Sequence, residues 1–326
     1  MGSKREGRNV YVTRPIPEPG LDLLRQSCDV EVKPTDDLVS KEELLEKVKG
    51  RDALLCLLTE KIDKDIIKAG SPTLKVIANY AVGYDNIDVA SATEHGVYVT
   101  NTPGVLTDTT ADMAWALMFS VARRIVEADK FCRMGKFKGW SATLFLGGDV
   151  YGKTLGLVGV GRIGAAVAMR TKGFNMRVLY NDVRHNYEIE REIGAIKVDM
   201  DTLLKESDFV SLHVPLMPET RHLIGRRSLA MMKPTAYLIN TSRGPVVDEI
   251  ALVEALRNKT IAGAGLDVYE FEPKITPELL ELDNVVLAPH IASGTVETRT
   301  KMALMAAENI LAVLDGRTPP NAVNRI

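Results

Sequence analysis

The sequence predicts an α/β protein made of two doubly wound parallel-sheet domains. Short apolar runs alternate with helix-patterned stretches from one end to the other, which is the pattern of parallel sheets covered by helices. At 326 residues the chain is long for a single compact core. An irregular, glycine-rich region at residues 135–148 interrupts the alternation and separates two strand–helix series.

In the first series, strands are expected at residues 10–13, 53–58, 74–79 and 97–100, with a weaker one at 30–32. Between them lie stretches such as residues 41–48, whose apolar positions fall at helical spacing. Residues 107–124 read as one long helix, apolar around most of its girth from Met113 to Val121. A helix of that kind is buried, often between domains or subunits. The second series places strands at 154–159, 177–182, 209–214, 236–240, 263–268 and 285–288. A last amphipathic helix, 297–314, ends at Gly316 with Pro319 and Pro320 beyond, a normal helix stop.

Composition narrows the function. A chain 45% hydrophobic and 26% charged, with net charge -2, gives no electrostatic reason to expect nucleic acid or an anionic membrane as partner. No apolar run approaches the roughly 18 residues of a spanning helix. Residues 1–9 carry positive charge with no apolar segment behind, so they read as a short disordered lead rather than a secretory signal. Cys28, Cys56 and Cys132 are scattered and odd in number, which favours a reducing cytoplasm over disulfides or zinc. The five histidines show no metal-binding spacing, and no metal is expected.

Two phosphate-binding signatures stand nearly end to end. Gly147, Gly152, Lys153 and Thr154 fit G-x-x-x-x-G-K-[ST], and Gly159, Gly161 and Gly164 fit G-x-G-x-x-G. A P-loop needs a strand before it and a helix after. Here a strand pattern follows Lys153, so Lys153 reads as a turn lysine and an NTPase is poorly supported. The second motif has the right order. A strand runs into Gly159-Val160-Gly161-Arg162-Ile163-Gly164, and a helix of small residues follows. Glycine at these places permits the tight turn, the approach of backbone to pyrophosphate, and close helix–strand packing. The confirming acid about 20 residues on is Asp182, at the end of the next strand. Its carboxylate suits ribose hydroxyls and would repel a 2′-phosphate, which favours NAD; Arg184 and His185 beside it leave NADP open.

Ligands of doubly wound sheets sit outside the carboxyl ends of the strands. Just past three such ends stand Arg243, Glu272 and His290. Singly, each reads as a turn or surface residue. Together, on the rim that carries the glycine motif, they form a chemically sensible set beside a nicotinamide.

The chain resembles the D-isomer-specific 2-hydroxyacid dehydrogenases over nearly its whole length. The matching stretches include Asn79-Tyr-Ala-Val-Gly-Tyr-Asp-Asn-Ile-Asp, Gly159-Val-Gly-Arg-Ile-Gly, Ser211-Leu-His-Val-Pro, Asn240-Thr-Ser-Arg-Gly and Ala288-Pro-His-Ile-Ala. Residues 99–108 and 145–154 bring it nearest the glyoxylate/hydroxypyruvate reductase branch. The resemblance implies a flavodoxin-like substrate-binding domain of residues 1–103 and 294–326. Into it a Rossmann-type NAD(P)-binding domain of residues 104–293 would be inserted, with substrate in a cleft closed by hinge motion. Arg243 would grip the substrate carboxylate, and His290 would be the general acid. Glu272 would hold the imidazole and favour its charged form. Asp267 would contact the carboxamide side of the nicotinamide, Thr241 the neighbouring ribose, and His213, Pro215 and Thr220 the adenosine. Val82 and Gly83 would complete the carboxylate pocket, with Leu58 and Tyr80 lining it. The resemblance also implies a homodimer through the helix and arm after Thr107, with Trp140 packed in that interface. Other D-2-hydroxyacid activities (D-lactate, D-glycerate, 3-phosphoglycerate) and an NAD-sensing corepressor-like scaffold are the alternatives.

Overall fold

In a computed structural model, residues 8–326 are described, and the chain divides into two compact units, Met1–Leu106 with Gly294–Ile326 and Thr107–Ser293. Most of the expected lead, residues 1–7, lies outside the described residues. The end of that lead belongs to the fold: Arg8 pairs with Asp315 at 2.7 Å, and Asn9 opens the first strand.

The first unit begins β1 (Asn9–Val12), α1 (Glu18–Arg25), β2 (Asp29–Val32), α2 (Lys41–Lys47) and β3 (Ala53–Cys56). It continues α3 (Lys64–Gly70), β4 (Val76–Asn79), α4 (Val89–Glu94) and β5 (Tyr98–Thr100). All its strands pair in parallel, in the order β2-β1-β3-β4-β5, which is the flavodoxin order. β3 and β4 are buried at every position, because a parallel sheet covered on both faces needs continuous apolar strands. Ser40, Asp63 and Asp88 each cap the helix that follows, accepting an amide of its first turn.

The second unit opens with α5 (Thr107–Ala122) and α6 (Ile125–Arg133). There follow β6 (Thr154–Val158), α7 (Arg162–Met169), β7 (Arg177–Asn181), α8 (Tyr187–Ile193), β8 (Ile196–Lys197) and α9 (Met200–Glu206). The unit closes with β9 (Phe209–Leu212), α10 (Arg226–Met231), β10 (Tyr237–Asn240), α11 (Glu249–Arg257), β11 (Gly263–Leu266) and β12 (Val285–Leu287). The chain then returns to the first unit as α12 (Val296–Leu314), capped by Thr295. The seven strands order β12-β11-β10-β9-β6-β7-β8, again parallel. This is the Rossmann arrangement, with its switch point between β6 and β9.

Two expectations change. The helix expected over 107–124 stops at Ala122; Arg124 turns left-handed at φ 53, and α6 starts anew, which periodicity had left unread. The girth of apolar side chains on α5 is also accounted for inside its own unit. Ala114, Leu117, Met118 and Val121 are buried in one core cluster with Leu155, Phe209 and Ile239. Trp115 stacks on Phe174 and donates its indole N–H to Val167 O at 3.1 Å. β11 admits the helix because Gly263 and Gly265 lack side chains: a Cβ there would stand 2.9 Å from Val121 or Leu117. What the unit leaves uncovered is α6 and the arm after it, where Met134, Phe137, Trp140 and Leu146 are more than half exposed. No helix among the described residues is long and apolar enough to cross a membrane.

Candidate active site

The glycine loop sits at the switch point of the second unit. β6 ends at Val158, Gly159 turns at φ 86, and α7 starts at Arg162. Gly159 and Gly164 are required by packing: a Cβ on Gly159 would stand 2.9 Å from His213 O, and one on Gly164 would strike Gly159 O. Gly161 differs, since a Cβ there meets nothing within 4 Å. Its backbone faces open space at the head of a helix, where a pyrophosphate can approach amides directly. Asp182 stands just past β7. Its Oδ2 accepts the Val160 N–H at 2.8 Å and its Oδ1 accepts the Arg184 N–H at 3.1 Å, so the acid also braces the loop. Lys153, of the other glycine motif, ends a turn that leads into β6, as the strand pattern following it implied.

Three strand ends carry the candidate residues Arg243, Glu272 and His290. Past β10, the buried Asn240 shapes the turn: its Oδ1 accepts Ser242 N–H at 3.0 Å and its Nδ2 donates to Arg243 O at 3.0 Å. Arg243 is thereby presented at the rim. Past β11, Asp267 is fully buried. Its backbone oxygen accepts His290 N–H at 2.9 Å, and its carboxylate accepts the amides of Ile291 and Ala292 at 2.7 Å each. Three successive amides thus converge on one residue and hold His290 at φ 53, a left-handed conformation uncommon outside glycine. Burial pushes the Asp267 carboxyl up, against the opposing pull of those two amides. Asp267, expected at the nicotinamide carboxamide, is buried, and its carboxylate holds the His290 loop.

Glu272 lies in the turn between β11 and β12. One carboxylate oxygen accepts Tyr269 N–H at 2.9 Å, and the other lies 2.9 Å from His290 Nδ1. Partial burial pushes the Glu272 carboxyl up, but His290, the Tyr269 amide and the Arg243 charge outweigh it and hold the group below its ordinary value. The imidazole and the carboxylate are therefore paired, and the Arg243 guanidinium is near enough for its charge to act on Glu272. The turn reaches this position because Gly244 has no side chain: a Cβ there would strike Tyr269 O and stand 2.5 Å from Glu270 N.

The remaining residues divide. Thr241, buried at 7% exposure, has a hydroxyl with no hydrogen-bond partner, an orphan that a ribose hydroxyl would satisfy. Thr220 Oγ1 donates to Pro215 O at 2.7 Å and accepts Met217 N–H at 2.8 Å, folding an exposed turn past β9. His213 bonds Ser211 Oγ through Nε2 at 2.9 Å. Part of its surface is open, yet the ring itself is packed deep, and that burial pushes its pKa down to about 4. In the first unit, Leu58 lies in the turn after β3. The carbonyls of Val82 and Gly83 are tied down by Asn101 and Asn79, both at 2.7 Å. Tyr80, expected to line a pocket, is 3% exposed and gives its hydroxyl to Arg299 O at 2.6 Å; its role is packing. Gly244, Glu249 and Glu270 carry no local signal in the sequence that marks them for these contacts.

Comparison with known proteins follows the same lines. Residues 115–292 match the model of the D-isomer specific 2-hydroxyacid dehydrogenase NAD binding domain. The chain is 55% identical over 320 residues to a glyoxylate reductase of Thermococcus onnurineus, covering 97% of this chain and 96% of the relative. It is 56% identical over 319 residues, with the same coverage, to one of Korarchaeum cryptofilum. Among solved structures, a protein of Thermus thermophilus aligns with TM-score 0.90 at 46% identity, over 97% of this chain and 100% of that one. An NADPH-dependent glyoxylate/hydroxypyruvate reductase of Sinorhizobium meliloti, in complex with NADP and malonate, aligns with TM-score 0.86 at 31% identity, over 98% and 97%.

Proposed function

The chain belongs to the D-isomer-specific 2-hydroxyacid dehydrogenase family, and from that premise we propose that it reduces glyoxylate or hydroxypyruvate to the 2-hydroxy acid. The observation that carries this is the 2.9 Å pairing of Glu272 with His290 in the electrostatic reach of Arg243.

When bound, the reduced nicotinamide supplies the hydride. Gly159–Gly164, Asp182 and the orphan hydroxyl of Thr241 are the residues that would hold the dinucleotide. Asp182 favours NADH over NADPH, because a carboxylate accepts from ribose hydroxyls and repels a 2′-phosphate. Arg243 takes the substrate carboxylate in its planar fork and polarises the adjacent keto group. His290, held through Nδ1 by Glu272, keeps a proton on Nε2 and delivers it to the keto oxygen as charge develops there. A homodimer through α6 and the exposed arm that carries Trp140 belongs to this reading too; sedimentation as a monomer would remove that part.

The test is NADH oxidation followed at 340 nm with a panel of 2-keto acids. His290→Ala is expected to lower kcat by roughly 10²–10⁴-fold while NADH binding and thermal stability stay near wild type. Near-normal turnover in that variant removes His290 as the acid. The absence of turnover with any acid in the wild type removes the enzyme reading.

A further inference from the structure

Glu249 and Glu270 take no part in the chemistry above, yet both are buried. Glu249 is 3% exposed and the Glu270 side chain 5%. Carboxylates are almost never buried unless their oxygens are fully engaged. Here they interlock. Glu249 N–H donates to Glu270 Oε2 at 3.2 Å, and Glu270 N–H donates to Glu249 Oε2 at 2.8 Å. The second oxygen of Glu249 accepts Thr276 N–H at 3.0 Å. That of Glu270 accepts from Arg221 at 3.0 Å and lies 2.6 Å from His222 Nε2. Two carboxylates that share such neighbours would repel, and the donated amides and the Arg221 guanidinium offset that.

The consequence lies in what the bonds span. Glu249 opens α11, and its carboxylate fastens residue 270 at one end and residue 276 at the other. Glu272 sits inside that loop. The loop's entry is pinned again by the Tyr269 hydroxyl, which donates at 2.8 Å to Ala288 O, two residues before His290. An exposed turn that must hold a carboxylate 2.9 Å from an imidazole has little packing of its own, so its anchors decide its position.

We propose that Glu249 and Glu270 are positioning residues for the reaction, fastening both ends of the 270–276 turn to α11 so that Glu272 stays against His290. This rests on the reading of Glu272 and His290 as the reacting pair. A carboxylate is needed at 249 because it presents two acceptors to two amide donors; an amide side chain would turn an N–H against one of them.

The experiment is a double-mutant cycle on the intact enzyme: wild type, E249Q, E272Q and E249Q/E272Q, with kcat, KM for the keto acid and Kd for NADH measured for each. E249Q is expected to lower kcat about tenfold with Kd for NADH within about twofold, and to add less than about twofold once Glu272 is already gone. Equal losses in both backgrounds would mark a general scaffolding role and overturn the proposal, as would an E249Q enzyme with wild-type kcat. Should E249Q fail to fold, R221A/H222A takes its place in the cycle. Those side chains are 53% and 40% exposed, and their removal is expected to lower kcat about threefold with the same dependence on Glu272. Additive or absent effects there overturn the proposal equally. An E272Q enzyme with wild-type kcat defeats the pair itself; a slowed E272Q beside an unaffected E249Q defeats only the anchoring.

Discussion

Adding one methyl group at Gly244 tests the geometry of the whole rim. In Gly244→Ala the new carbon would strike Tyr269 O and stand 2.5 Å from Glu270 N, both backbone atoms. Ordinary contact begins at 3.4 Å, so the strand end that carries Arg243 and the turn that carries Glu272 must part by about 0.9 Å or more. The turn is poorly free to yield, because Glu249 holds its residues 270 and 276 and Tyr269 is bonded to Ala288 O. The other side is held as well, since Asn240 Nδ2 fixes the Arg243 carbonyl at 3.0 Å. Overpacking of this kind costs about 1–3 kcal/mol, a fall in Tm of several degrees for a unit of this size. Separating groups that must act together by about 1 Å can cost about 100-fold in rate. The expected result is therefore a Tm lower by roughly 3–10 °C and a kcat/KM for keto acid lower by about 100-fold. NADH affinity should fall far less than turnover, because Gly159–Gly164 and Asp182 lie on other strand ends and only Thr241 shares the end of β10. Thermal melts, NADH fluorescence titration and steady-state turnover measure the three. A variant with unchanged Tm and kcat/KM within threefold of wild type would refute the close contact and the coupling inferred from it.

Two further predictions follow from single residues. Asp182→Ala removes an acceptor from the Val160 amide and from the ribose, so NADH binding should weaken by about 10–100-fold while NADPH loses less. Titration of both coenzymes checks this, and a parallel loss of the two would contradict the role of the charge. His213, with its pKa pushed down to about 4 from an unfolded value of 6.5, resists protonation in the folded state. Between those values the unfolded chain binds the extra proton, so this contribution to stability is present above pH 6.5 and is lost as pH falls toward 4. The loss is about 2 kcal/mol by pH 5. Melts at pH 7 and pH 5 should show His213→Asn losing less stability than wild type over that interval; identical slopes would refute it.

Much of this was legible in the residues because the signals were local. Apolar runs such as 53–58 and 74–79 identify buried parallel strands without reference to their neighbours. The order strand, Gly159-Val-Gly-Arg-Ile-Gly, helix and Asp182 separates a dinucleotide loop from the P-loop lookalike beside it. The exceptions have physical causes. β8 is two residues long and half-exposed, so no apolar run announces it. The break at Arg124 comes from one left-handed residue inside a continuous helical pattern. Tyr80 stands next to a motif but points into the core, and no periodicity reports direction at a strand end.

By itself the sequence determined the two α/β units, the strand series, the glycine loop and the placing of Arg243, Glu272 and His290 just past three strand ends, since each is written in neighbouring residues. Only the tertiary structure decided how those three are held. Asp267 gathers three amides beneath His290, Gly244 admits the Glu272 turn, and Glu249 fastens it, through contacts between residues up to 27 positions apart in the chain. Such contacts depend on which strand ends become neighbours in the sheet, and that is set by chain crossing order rather than by any local pattern.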